Sequence, residues 1–189
     1  MTPSRIVQRQ AAGMADAELH HHIDTPSAWV CRWAEYIPAG GRVLDVACGR
    51  GRHARWLARR GHAVEAVDRD PALLAELTGI AGVTTRCADL EGGPWPYGSE
   101  RFAGVVVVNY LHRPLFSHLI AAVASGGVLI YETFAEGNER FGRPSNPDHL
   151  LRHGELLDVV RGSLRVLAYE DIAVSDPRPA MVQRICAIR

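Results

Sequence analysis

The sequence predicts an α/β fold built on one doubly wound, mostly parallel sheet of seven strands that ends in an antiparallel β-hairpin. Three observations carry this expectation. Short apolar runs bounded by turn residues alternate with stretches at helical spacing across residues 42–134. A polar residue closes or follows each of the first five runs, about every 20 residues. The last two strand-like runs, 164–174 and 181–188, are separated only by Ser175-Asp176-Pro177-Arg178-Pro179-Ala180. That gap is too short for a crossover helix, so those strands should be antiparallel neighbours.

The elements follow in order. Residues 1–28 are expected to form an N-terminal arm or helix, a candidate lid, containing Gln8, Gln10 and His20-His21-His22; residues 29–189 are expected to be a single domain. Trp29, Val30, Trp33 and Tyr36-Ile37 recur at helical spacing before Pro38 and the turn Gly40-Gly41. Residues 42–47 read as a buried strand, and 51–60 as a helix with Ala54, Leu57 and Ala58 on one face, stopped by Gly61. Residues 63–68 are a second strand. Residues 71–78 are a helix with Pro71 in its first turn and Asp70 as cap. Residues 83–87 and 102–108 are the third and fourth strands, the latter holding four valines in a row. Residues 114–124 should be helical and 127–134 the fifth strand. The Gly-, Pro- and Asn-rich stretch 135–149 reads as a long loop, with Asn146-Pro147 opening a helix. Such an alternation implies right-handed crossovers and a sheet covered on both faces.

Composition excludes several chemistries. The 21 basic residues balance 21 acidic ones, and every basic residue is Arg. Without Lys there is no Schiff-base catalysis and no phosphate-loop or kinase lysine. Zero net charge gives no general attraction to nucleic acid or anionic membrane. No apolar run approaches the roughly 18–20 residues of a membrane span, and residues 1–10 lack the apolar stretch of a secretory signal. Cys31, Cys48, Cys87 and Cys186 lie far apart, which fits a reducing cytoplasm, and no metal site is expected.

In an open α/β sheet, ligands bind beyond the carboxyl ends of the strands. The residues there are Asp45-Val-Ala-Cys-Gly49-Arg-Gly51, Asp68, Asp89-Leu90, Asn109-Tyr110 and Glu132-Thr133-Phe134. Gly49 and Gly51 allow close approach to the backbone. An acid after the second strand can accept both hydroxyls of a ribose, and one after the third can accept from an exocyclic amine. Asp45 would repel a pyrophosphate and attract an ammonium or sulfonium.

On these residues the sequence resembles the class I S-adenosylmethionine-dependent methyltransferases, which have a Rossmann-like sheet. It is most similar to the small bacterial enzymes of the tellurite-resistance and ubiquinone-biosynthesis type. Ala47 stands where their first motif has its first glycine. The resemblance implies a cytoplasmic enzyme with S-adenosyl-L-methionine as cofactor and S-adenosyl-L-homocysteine as product. It assigns Asp45 and Gly49 to the methionine end, Asp68 to the ribose, Asp89 and Leu90 to the adenine, and Asn109 to the methyl. Ala47, Cys48, Gly51 and Arg69 complete the candidate cofactor set.

Asn109, His149 and Arg113 are the candidate catalytic residues, Arg113 for an anionic acceptor. His112, His149 and Glu132 are candidate bases. The sequence lacks the Pro-Pro-aromatic run after Asn109 that marks amino-group methylation of nucleobases, so a small-molecule acceptor is expected, with residues 137–149 and the arm as its lid. Nucleic acid and membrane are not expected as partners, and the chain should be a monomer or homodimer. The Gly49-x-Gly51 spacing also fits an NAD(P)-dependent oxidoreductase, and a non-catalytic cofactor-binding protein on the same scaffold is a further alternative.

Overall fold

The computed structural model describes residues 25–189. Most of the expected arm, including His20-His21-His22, lies outside the described residues.

Seven strands form one sheet: β1 Val43–Val46, β2 Val64–Asp68, β3 Val83–Cys87, β4 Phe102–Val108, β5 Val123–Phe134, β6 Arg165–Val174 and β7 Ala180–Ile188. Their spatial order is β3-β2-β1-β4-β5-β7-β6. Neighbours among β1–β5 are parallel. β7 inserts antiparallel between β5 and β6, as the short 175–180 gap requires. Strand order reverses between β1 and β4, so a cleft opens at their carboxyl ends.

Among the described residues, five α-helices cover the faces: α1 Ala28–Trp33, α2 Arg52–Arg59, α3 Pro71–Ala75, α4 Phe116–Ala122 and α5 Glu155–Val160. The valine run of β4 serves both faces because successive side chains point to opposite sides. Val105 and Val107 pack with Leu119 of α4 and Leu156 of α5. Val106 and Val108 pack with Trp29 of α1, Leu57 of α2 and Leu74 of α3. Full burial of each such side chain is worth roughly 1.5–3 kcal/mol, so this strand anchors both layers.

Local signals set the helix starts. The Ser27 hydroxyl accepts from the backbone N–H groups of Trp29 and Val30, capping α1. Asp70 accepts from Ala72 N–H and Pro71 takes the first turn of α3. α2 follows Gly51 with no side-chain cap of its own. Asp45 of β1 substitutes, its Oδ2 accepting from Ala54 N–H at 3.0 Å.

Three boundaries differ from expectation. The helix expected over 114–124 is a 3-10 turn, Arg113–Leu115, followed by α4, and β5 begins at Val123, four residues early. Val123 is β-branched, fully buried and pairs with Phe102, which draws it into the sheet. The helix expected from Pro147 is a single 3-10 turn, Pro147–His149, although Asn146 caps it by accepting from Asp148 N–H. Leu150 and Leu151 are buried, and Leu151 N–H bonds to the Phe134 carbonyl, so the chain extends before α5. α3 stops at Ala75, short of Thr78.

Candidate functional site

Two clefts open at the carboxyl ends of the central strands, and Asn109 is the residue they share. The first, about 270 Å³, is lined by Ala47, Asp68, Arg69, Ala88, Asp89, Leu90, Glu91, Asn109 and Tyr110. The second, about 390 Å³, is lined by residues 25–28, Arg52, Asn109, Glu132, Phe134 and the β6–β7 hairpin.

Backbone geometry between β1 and β4 is unusual. Ala47 (φ 51°) and Asn109 (φ 56°) are the only non-glycine residues with positive φ among the described residues. Each directly follows a central strand. Asn tolerates this region through its short polar side chain, whereas Ala holds it at a cost of about 1–2 kcal/mol. Gly51 has φ +71°, and a Cβ there would come within 2.5 Å of Leu77. Gly49 has φ +54° with open space where a Cβ would stand, and its N–H donates to Asp68 Oδ2 at 2.8 Å. The loop is thereby bare on its open side and tied to the end of β2.

The acids differ in role. Asp68 also accepts from Asp70 N–H, at 3.0 Å, and lines the first cleft. Asp89 is exposed; the N–H groups of Glu91 and Gly92 hold its carboxyl below the usual range. Asp45 is 1% exposed, and burial pushes its carboxyl up to about 7, opposed by Ala54 N–H and Arg52 and reinforced by Asp68. It lines neither cleft; it lies beneath the loop and the start of α2. Cys48 is buried in the apolar layer beside Ala54, and burial pushes its thiol up.

This lining suits a nucleoside. Asp68 and Asp89 offer acceptors to hydroxyl and amine hydrogens and Leu90 offers an apolar wall, whereas Asp45 is buried and faces neither cleft. The expected residues Ala47, Asp68, Arg69, Asp89, Leu90 and Asn109 line one cleft together. Gly49 and Gly51 shape the adjoining loop.

Arg113 and His149 are not brought there. Arg113 Nε and Nη2 bind Glu155 at 2.7 and 2.9 Å, and its nitrogens also reach the Asp148 and Leu150 carbonyls. It staples α5 to the turn after β4 and lines a separate groove with Phe116 and Arg152. His149 is exposed and lines neither cleft. The 137–149 loop does not cover the second cavity either. Asn138 ties it down, donating to the Pro144 carbonyl and accepting from Met181 N–H. The β6–β7 turn forms that wall instead.

Sequence reasoning missed a network around the second cavity. Ser27 donates to Glu132 Oε1 at 2.9 Å, its N–H bonds to His53 Nε2, and Arg184 reaches Glu132 Oε2 at 3.2 Å. Burial lowers His53 to about 3, so it is a neutral acceptor. The helix-cap position of Ser27 was legible; its second role at Glu132 joins residues 105 apart in the chain.

A model of the methyltransferase domain matches residues 43–127. No curated protein matches the sequence. Among solved structures, the chain is similar to TehB from Haemophilus influenzae (TM-score 0.73, 16% identity, covering 87% of this chain and 62% of that one). It thus spans less than two thirds of that protein. A S-adenosylmethionine-dependent methyltransferase from Mesorhizobium loti (TM-score 0.66, 19% identity) covers 86% of this chain and is itself covered to 99%. A TehB-like methyltransferase from Corynebacterium glutamicum (TM-score 0.65, 17% identity) covers 96%, and is covered to 99%. At these identities the likeness establishes fold alone. Residues 43–127 therefore match a methyltransferase-domain model, and the chain shares the fold of these solved S-adenosylmethionine-dependent methyltransferases.

Proposed function

We propose that the chain transfers a methyl group from S-adenosylmethionine to a small-molecule acceptor. One observation carries this reading: the cleft lined by Asp68, Asp89 and Leu90 and the second cavity meet at Asn109. A donor in one and an acceptor in the other would face each other at that residue.

S-adenosylmethionine supplies an electrophilic methyl on a sulfonium. The chain's task is alignment, since an in-line displacement needs the reacting atoms about 3–3.5 Å apart and water excluded. Asp68 would accept the ribose hydroxyls, and Asp89 and Leu90 would hold the adenine. Asn109 fixes the junction; its N–H bonds to the Glu132 carbonyl, which locks β4 to β5 where the clefts meet. Glu132 is the carboxylate of the second cavity nearest this junction in the sheet. Where the acceptor is an O–H or N–H, it would take the proton. The second cavity is of small-molecule size, and Arg50, Arg52, Arg55 and Arg60 around α2 are engaged with Glu76, Thr25 and Trp56 rather than spread as a nucleic-acid face.

Calorimetry tests this. S-adenosylhomocysteine should bind and NAD should not. Asp68→Ala should weaken S-adenosylhomocysteine by about 100-fold or more, since two hydrogen bonds to a charged group contribute about 1.5–3 kcal/mol each. Unchanged affinity in a folded variant, or preferential NAD binding, would reject the assignment.

A further inference from the structure

Among the described residues, the second cavity carries one cation that no ion pair or hydrogen bond engages. Arg184 is committed: Nε and Nη2 lie at 2.7 Å from Glu170, Nη1 reaches Glu132, and the guanidinium stands over the Trp29 ring. Arg52 donates to the Thr25 carbonyl and sits at the α2 end, beside the glycine loop. Arg178, on the β6–β7 turn, has neither an ion pair nor a hydrogen bond among the described residues. Its guanidinium lies 5.6 Å from the Phe134 ring centroid. Asp176 lines the same cavity two residues earlier without pairing with it.

The backbone of the turn is stiff. Pro177 and Pro179 flank Arg178, so the backbone dihedral φ is fixed on both sides. Preceding a proline also confines Arg178 itself to extended backbone. Stacking on Phe134 occupies one face of the guanidinium and leaves its N–H edges available. A planar fork of donors is the matching partner of a carboxylate. The same cavity presents the apolar side chains of Phe134, Val174, Ala180 and Val182 beside the Glu132–Arg184 pair.

We propose that the acceptor is an organic carboxylate. Its anionic end pairs with Arg178, its apolar body lies along Phe134 and Val182, and its nucleophilic atom reaches Asn109. An amine at the anionic end would meet Arg178 unfavourably, and a neutral amide would lose the charge-assisted pair. This inference rests on the methyltransferase reading, which places the donor in the neighbouring cleft.

The test uses the full chain saturated with S-adenosylhomocysteine, and three probes of one shape: phenylacetate, phenylacetamide and phenethylamine. Calorimetry with the product alone comes first; if S-adenosylhomocysteine fails to bind, the methyltransferase reading fails, independently of Arg178. With the product bound, phenylacetate should bind about fivefold more tightly than the amide, the size expected of a partly exposed ion pair. Phenethylamine should bind most weakly. Arg178→Met should lower phenylacetate to the level of the amide while leaving S-adenosylhomocysteine affinity unchanged, and Arg178→Lys should restore part of the preference. Equal binding of amide and carboxylate, a preference that survives Arg178→Met, or no binding of any probe at tens of millimolar would overturn the proposal.

Discussion

The two ends of the sheet treat a buried carboxylate in opposite ways. Near the amino ends, Glu65 of β2 accepts from Arg86 at 3.0 Å, from Arg42 at 3.3 Å and from Thr84 at 2.8 Å. Burial alone would raise its carboxyl; the three donors more than reverse that and hold it below the usual range. Near the carboxyl ends, Asp45 of β1 is more deeply enclosed, accepts from Ala54 N–H, and is pushed up to about 7 by its burial. Ala47 and Asn109, the two non-glycine residues with positive φ, stand at this end as well. The protein satisfies its charge at one end and leaves charge and strain unbalanced at the other. Such imbalance marks the end at which a ligand completes the structure.

The largest expected effect breaks this comparison through pH. Asp45 has a folded value near 7 against 3.8 for the free group. The native state therefore binds more protons between those values, and stability is lost as pH rises through 7. Asp45→Asn should therefore stabilise the ligand-free protein by about 2–4 kcal/mol at pH 8, with the gain vanishing near pH 4. Glu65 has the opposite sign. Its depressed value makes its contribution full above the free-group value of 4.5 and lost as pH falls through the folded one. Glu65→Gln should cost about 1–2 kcal/mol near pH 7, discounted because both arginines are partly exposed, and almost nothing in strong acid. Denaturant melts across pH measure both; parallel slopes for the two variants would erase the distinction.

A smaller effect sharpens the strain argument. Ala47→Gly should stabilise the fold by about 0.5–1 kcal/mol, because glycine accepts the left-handed backbone that alanine resists. A loss of stability would mean that the alanine methyl contributes packing that outweighs its strain.

Most of the sheet was legible because its signals are local. The valine run of β4 and the β-branched runs of the other strands are intrinsic strand formers, and the spacing of the polar residues that close or follow the strands fixed the cleft. Asp70 and Pro71 announced α3 by capping chemistry alone. The failures involve partners distant in sequence. Arg113 follows Asn109-Tyr110 closely, but its carboxylate partner Glu155 lies 42 residues on, beyond any periodicity. β5 began early because Val123 pairs with Phe102, a contact no local pattern encodes. The 137–149 loop looked like a lid by composition, yet Asn138 anchors it to Met181 of β7. Cover over the second cavity instead comes from the hairpin turn, whose short length predicted topology and said nothing of where Arg178 would stand.

A crystal structure of the chain with S-adenosylhomocysteine tests the central claim most directly. The account predicts the ribose hydroxyls on Asp68, the adenine against Leu90 and Asp89, and the sulfur beside Asn109, facing the cavity of Glu132 and Arg178. A nucleoside seated elsewhere, or a sulfur turned away from that cavity, would contradict it.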